Sequence, residues 1–136
     1  MSGRRTRTVS RLYVLDASAI LCLLQSEPGA NHVAEALPDA CIGAVNYSEM
    51  VGKLIEGGMT EAAIDSAMEA LQLEVIAFDR HQARLAGLLR GKTRRSGLSL
   101  GDRTCLTLAG ARYGVALTCD RSWKEVEAGC EVELVR

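Results

Sequence analysis

The sequence predicts a three-layer α/β/α domain built on a central, mainly parallel sheet. Three observations carry this expectation. Short apolar runs that read as strands alternate with longer segments of helical spacing, and cap residues or glycines mark the changes. Strands separated by helices imply right-handed crossovers, which place helices on both faces of the sheet. The chain has 136 residues, 48% of them hydrophobic, with a mean hydropathy of +0.07, which is enough for one domain to bury a real core.

The elements follow in order. Residues 1–11, "MSGRRTRTVSR", read as a basic, flexible N-terminal tail, and residues 12–136 as a single domain. Residues 11–15 begin the strand pattern, and a helix over 18–25 has Ser18 as its candidate N-cap. Pro28 opens a short helix running to about Leu37. "ACIGA", 40–44, is a small strand. Asn46 is the candidate cap of a helix over 47–56 that Gly57 and Gly58 stop. Thr60 caps the next helix, whose Ala63, Ile64, Ala67, Met68 and Leu71 recur at helical spacing. "LEVIAF", 73–78, is a strand, and Asp79 caps a helix to about Arg90. "GKTRRSG", 91–97, reads as a basic loop. Ser99 caps a helix reaching Tyr113, with Gly114 as its stop. "VALTC", 115–119, is a strand, followed by Asp120, a short helix near 122–128 and a last strand, "CEVELV".

Composition narrows the function. No apolar run approaches the roughly 18–20 residues that span a bilayer, and the charged start lacks the apolar segment of a secretory signal. The five cysteines are odd in number, and no two form a CxxC pair. They read as reduced, packed thiols of a cytoplasmic protein. His32 and His81 have no partners at ligand spacing, which argues against zinc. Net charge is −1, but the charges are polarised. Residues 12–79 carry eleven acids and one base, Lys53, whereas residues 80–124 carry ten bases and two acids, Asp102 and Asp120. Such polarity marks either a polyanion site or ordinary solubilising decoration.

Four carboxylates stand out. Asp16 and Asp120 each follow a buried strand, where parallel sheets form their sites at the point of reversed strand order. Glu49 and Asp102 fall three residues after the candidate caps Asn46 and Ser99. Each also has a plain structural explanation: an Asx-turn for Asp16, a capping box for Asn46-x-x-Glu49, and helix-dipole complementarity for Asp102. Together in one crevice they would repel one another, and hard divalent ions with oxygen ligands, Mg²⁺ or Mn²⁺, relieve that repulsion. Cationic surface around such a pocket suits a phosphodiester backbone, with metal-activated water as nucleophile.

"VLDASAIL", "NYSEMVGKL", "LSLGDRTCLTLA" and "LTCDRSW" resemble, in order and spacing, the four acidic motifs of PIN-domain ribonucleases, in particular VapC-type toxins of bacterial toxin–antitoxin pairs. The resemblance runs from about residue 12 to the end. It implies a PIN-like fold and makes Asp16, Glu49, Asp102 and Asp120 the catalytic, metal-binding acids, with Glu49 acting directly or through water. Ser18 and Thr118 match polar positions beside the site. Many relatives carry a further acid two residues after the fourth, where this chain has Ser122, so one tightly held ion is expected, with a second arriving with substrate. The resemblance further implies RNA cut to a 5′-phosphate and a 3′-hydroxyl, a homodimer, and inhibition by a cognate VapB-type antitoxin.

Arg94, Arg95, Arg103 and Arg121 are candidates for RNA phosphate contacts, with ordinary surface arginine as the alternative. Aromatic residues are scarce, so RNA shape rather than base stacking is the expected basis of recognition. Trp123 reads as core or interface. "GKT" at 91–93 is no phosphate-binding loop, because the required glycine is Ala86. Two other readings stay open. One is a catalytically silent PIN-like module that binds RNA or protein. The other is an Asp-dependent phosphatase or phosphotransfer domain using Asp16, although "DAS" lacks the second acid that haloacid-dehalogenase-type phosphatases use.

Overall fold

Leu15, Ile42 and Leu117 face one core of the sheet, and Val14, Cys41 and Ala116 face the other. This strict alternation is the two-residue period of a strand buried on both sides. The computed structural model describes residues 11–136. The expected tail, apart from Arg11, lies outside the described residues. Arg11 itself ion-pairs with Glu131 and Glu133.

The described strands are β1 (Tyr13–Leu15), β2 (Ala40–Gly43), β3 (Glu74–Ile76), β4 (Val115–Thr118) and β5 (Glu131–Leu134). They form one sheet in the order β3-β2-β1-β4-β5, and every pairing is parallel. The helices are α1 (Ala17–Leu24), α2 (Ala30–Ala36), α3 (Ala44–Glu56), α4 (Glu61–Leu71), α5 (Arg80–Thr93) and α6 (Leu100–Ala111). Helices α1 to α4 pack Ile20, Val33, Met50 and Ile64 on one face, and α5 and α6 pack Leu89, Leu106 and Leu108 on the other. Each large aliphatic side chain so buried contributes about 1.5–3 kcal/mol by leaving water. Trp123 is fully buried in the second core, as expected. The three-layer α/β/α architecture is therefore borne out.

Strand order reverses between β1 and β4. The chain moves outward from β1 through β2 to β3, then returns to the other side of β1. Val14 pairs with Ala116 and Leu15 with Leu117, so Asp16 emerges beside Thr118. This is the crevice that an open parallel sheet offers a ligand.

Local boundaries depart from expectation where longer-range contacts prevail. Ser18 does not cap α1; Asp16 does, by accepting the Ala19 N–H at 3.0 Å. Asn46 does not cap α3 either. That helix starts straight from β2 with Gly43 at its N-cap, and Asn46 lies inside it. The 91–97 segment is not a loop throughout, since α5 continues to Thr93 and a 3-10 turn spans Arg94–Ser96. Thr93, 2% exposed, is drawn into the core and donates to the Leu89 carbonyl. The short helix near 122–128 is a 3-10 turn over Arg121–Glu125. Helix α6 ends at Ala111, with Tyr113 in left-handed backbone geometry (φ 54°). A Cβ on the following Gly114 would lie 2.8 Å from the Leu12 carbonyl oxygen, so the return into β4 needs a glycine.

Candidate active site

Asp16 is where the β1 apolar run stops and α1 begins. It is 6% exposed. Its Oδ1 accepts from Ser18 Oγ at 2.6 Å and from the Ala19 N–H, and its Oδ2 accepts from Thr118 Oγ1 at 2.7 Å. Burial pushes this carboxyl up from 3.8 to about 6, the three hydrogen bonds oppose the rise, and the charge of Asp102 adds to it. Ser18 and Thr118 thus both donate to Asp16. Ser18 also accepts the Cys119 N–H at 3.0 Å, which ties α1 to the end of β4.

Asp120 stands two residues beyond β4. Its N–H donates to Thr118 Oγ1 at 3.0 Å, so the hydroxyl that holds Asp16 also receives Asp120. Asp120 Oδ1 accepts from the Ser122 N–H at 2.9 Å and from Ser122 Oγ at 2.7 Å. Ser122 therefore holds Asp120 by two donors.

Asp102 and Ser99 form a full capping box on α6: Ser99 Oγ accepts the Asp102 N–H at 3.1 Å, and Asp102 Oδ2 accepts the Ser99 N–H at 3.0 Å. The capping role is real, and it also aims Asp102 toward the crevice, where its charge acts on both Asp16 and Glu49. Glu49 lies in the second turn of α3, not the first. Partial burial pushes its carboxyl up, the Asn46 amide opposes this, and Asp102 adds to the rise.

Sequence reasoning read Asn46 only as a cap. Its side chain, 1% exposed, donates to Glu49 Oε1 at 3.3 Å and to the Gly101 carbonyl at 3.0 Å. No pattern in the sequence points to Gly101. A Cβ there would lie 2.4 Å from both carboxylate oxygens of Glu49.

The four acids thus form a series, Glu49 to Asp102 to Asp16 by electrostatic coupling, and Asp16 to Asp120 through Thr118. The donor set is all oxygen, which matches hard divalent ions. Among the described residues, however, no group of three or more His, Cys, Asp or Glu side chains is gathered closely enough to enclose an ion. The geometry brings the acids together in pairs, each held by internal donors.

The arginines divide. Arg94, Arg95 and Arg121 are exposed, the first two in the turn just before Ser99 and the third beside Asp120. Arg103 corrects the expectation. It is 7% exposed, and its Nη1 donates to the Ala86 carbonyl at 2.8 Å, so it ties α6 to α5 and does not face a substrate. It follows Asp102 in sequence, but the next helical position turns about 100° away, into the α5 packing.

The PIN domain family model matches residues 13–129. This chain belongs to the PIN-domain family. Among curated relatives, Ribonuclease VapC42 of Mycobacterium tuberculosis is 30% identical over 106 residues, covering 71% of this chain and 81% of the relative. A VapC ribonuclease of Mycobacterium bovis matches to the same extent. Within the PIN domains, the chain is thereby placed among the VapC ribonucleases, as its four motifs imply. Solved structures share the fold. DNA-bound VapBC from Salmonella typhimurium has a TM-score of 0.74 at 19% identity, covering 93% of this chain and 100% of that one. A toxin–antitoxin complex from Klebsiella pneumoniae has a TM-score of 0.73 at 16% identity, covering 91% and 98%. Divalent-metal dependence is general among PIN-domain VapC nucleases.

Proposed function

We propose that this PIN domain is a metal-dependent endoribonuclease and the toxin of a type II toxin–antitoxin pair. The observation that carries the reading is that Asp16 and Asp120 follow β1 and β4, where the strand order reverses, and that Asp102 of α6 couples electrostatically to Asp16 and to Glu49 of α3. Asp16, Asp102 and Asp120 would hold Mg²⁺ or Mn²⁺, and Glu49 would contribute directly or through water. A divalent ion bound there supplies charge neutralisation and Lewis acidity for phosphodiester hydrolysis. Asp102 Oδ1, Asp120 Oδ2 and Glu49 Oε2 accept no hydrogen bond from the described residues, so each of these three acids keeps one oxygen for an ion while its other oxygen is held in place. Because Ser122 satisfies Asp120 where many relatives have an acid, a single ion is held tightly in the free protein.

Arg94, Arg95 and Arg121 grip the RNA backbone. All three are exposed and lie in the base-rich half of the chain, Arg121 directly after Asp120 and Arg94 and Arg95 in the turn before the Ser99 cap of α6, which supports this role. The partners are RNA, a VapB-type antitoxin and a second copy of the chain; the likeness in fold to toxin–antitoxin complexes supports the antitoxin. The described cysteines are all free thiols, which supports a cytoplasmic location, and among the described residues no helix is long and apolar enough to cross a membrane. Ser18 stands two residues after Asp16, where haloacid-dehalogenase-type phosphatases use a second acid, which weighs against a phosphatase.

The test is cleavage of RNA with and without Mn²⁺ by the wild type and Asp16→Asn. Metal-dependent cutting that is lost in the variant supports the nuclease. Cutting that persists unchanged removes Asp16 from the chemistry, and no cutting of any RNA favours a silent binding module.

A further inference from the structure

The buried Asn46 amide joins the first turn of α3 to the first turn of α6, the two helices that carry Glu49 and Asp102. Its two N–H groups are divided between two acceptors. One reaches Glu49 Oε1 at 3.3 Å, and the other reaches the Gly101 carbonyl at 3.0 Å, 55 positions along the chain. Its Oδ1 lies 3.4 Å from Thr104 Oγ1, whose one proton goes to the Gly101 carbonyl at 2.9 Å. At 1% exposure the amide has no water to substitute for these partners, so moving it would strand polar groups in the interior. Gly101 completes the arrangement from the other side. The Glu49 carboxylate occupies the place of a Cβ there, 2.4 Å from either oxygen, and any side chain at 101 would push Glu49 out.

We infer that Asn46 is a positioning residue for the metal-binding acids: with Gly101 as its floor, it clamps Glu49 against α6 and so sets the gap between Glu49 and Asp102. The inference rests on the metal-dependent reading above. Without the clamp, Glu49 is an exposed glutamate with three free torsions beside a like charge, and Coulomb repulsion from Asp102 swings it outward. The amide holds it in place at no cost in charge. An aspartate in the same position would add a repelling carboxylate, and a serine would not span the distance to Gly101.

The deciding experiment is a double-mutant cycle read by calorimetric titration of the full chain with Mn²⁺, with thermal unfolding in chelator run in parallel. Asn46→Ala weakens Mn²⁺ binding roughly tenfold, the size of effect typical of residues that orient metal ligands. In a Glu49→Ala background the same change has no further effect on Mn²⁺ affinity, although any loss of thermal stability persists. A purely structural Asn46 gives the opposite pattern, with equal losses of affinity in both backgrounds, and overturns the proposal. Gly101→Ala provides a second route if Asn46→Ala folds poorly. It leaves the amide intact and adds a helix-favouring residue, yet it should weaken Mn²⁺ binding to a similar degree, and unchanged affinity overturns the clamp. A wild type with no measurable Mn²⁺ binding overturns the metal reading itself, and the inference with it. Wild-type binding that survives Asn46→Ala intact overturns the positioning role alone.

Discussion

Thr118 Oγ1 donates to Asp16 Oδ2 at 2.7 Å and, at the same time, accepts the Asp120 N–H at 3.0 Å. A hydroxyl has one proton to give, and here it goes to the buried carboxylate, so the lone pairs are left for the backbone of the fourth acid. The contact depends on the β1–β4 register, which sets Thr118 next to the residue after Leu15. Thr118→Val keeps the shape and removes both bonds. It should lower Mn²⁺-dependent RNA cleavage by about 10–100-fold, the range seen when a group orienting a metal ligand is lost. It should also cost about 1–3 kcal/mol of stability, because a buried acceptor loses its donor. Thr118→Ser restores most of both. The measurements are kcat/KM and denaturant unfolding, and full activity in Thr118→Val would separate the hydroxyl from catalysis.

Asp16 also sets a pH dependence of stability. Its carboxyl titrates at about 6 in the folded chain against an ordinary 3.8, chiefly through burial. Between those values the folded state holds a proton that the unfolded chain has released. The contribution is therefore fully present below about pH 4 and is lost as pH rises through about 6. Asp16→Asn cannot suffer that loss. Without divalent metal, the variant should gain on the wild type by up to about 3 kcal/mol between about pH 4 and pH 7, since each tenfold change in proton affinity is worth about 1.4 kcal/mol. Adding Mn²⁺ at neutral pH should then stabilise the wild type and leave the variant unchanged. Urea unfolding across that range checks both, and parallel pH profiles for the two proteins would contradict the first.

What the sequence made legible was what local chemistry decides. Thr60, Asp79 and Ser99 cap helices as read, because a cap needs only a side-chain acceptor and an N–H three residues away. The five strands were legible as apolar runs, and Asp16 and Asp120 as acids following two of them. The partners across the fold were not legible. Asn46-x-x-Glu49 has the spacing of a capping box, yet the amide spends one of its donors on a carbonyl 55 positions away, in another helix. Gly101 matters for a Cβ it lacks, which no periodicity displays. Arg103 sits in the same basic stretch as Arg94 and Arg95, and only the α5–α6 packing tells a buried cation from a surface one.

That difference is testable. Arg103→Met removes a buried cation whose Nε has no hydrogen-bond partner, and replaces it with an apolar chain of similar reach. The exchange gives up the bond to the Ala86 carbonyl but ends the burial of an incompletely partnered cation, so the expected change in stability lies within about 1 kcal/mol, with RNA binding unaltered. Arg94→Ala with Arg95→Ala should instead weaken RNA binding uniformly across sequences. It should also make log affinity fall less steeply with log salt, by about one for each phosphate no longer neutralised. Affinity titrations at several salt concentrations separate the two cases, and an RNA-binding loss confined to Arg103→Met would reverse the assignment.

Ser122 bears on the number of ions. Its Oγ and N–H both donate to Asp120 Oδ1, at 2.7 and 2.9 Å, so the position supplies donors where an acid would supply a ligand. Calorimetric titration of the wild type should therefore find one tight Mn²⁺ site per chain. Ser122→Asp exchanges a donor for a carboxylate next to Asp120, and the two charges repel unless a cation lies between them. The metal-free variant should be less stable than the wild type, should gain more from saturating Mn²⁺, and should titrate with two sites. Two tight sites in the unmodified chain would mean that Asp120 reaches a second ion despite its bonds to Ser122, and that the serine does not limit the site.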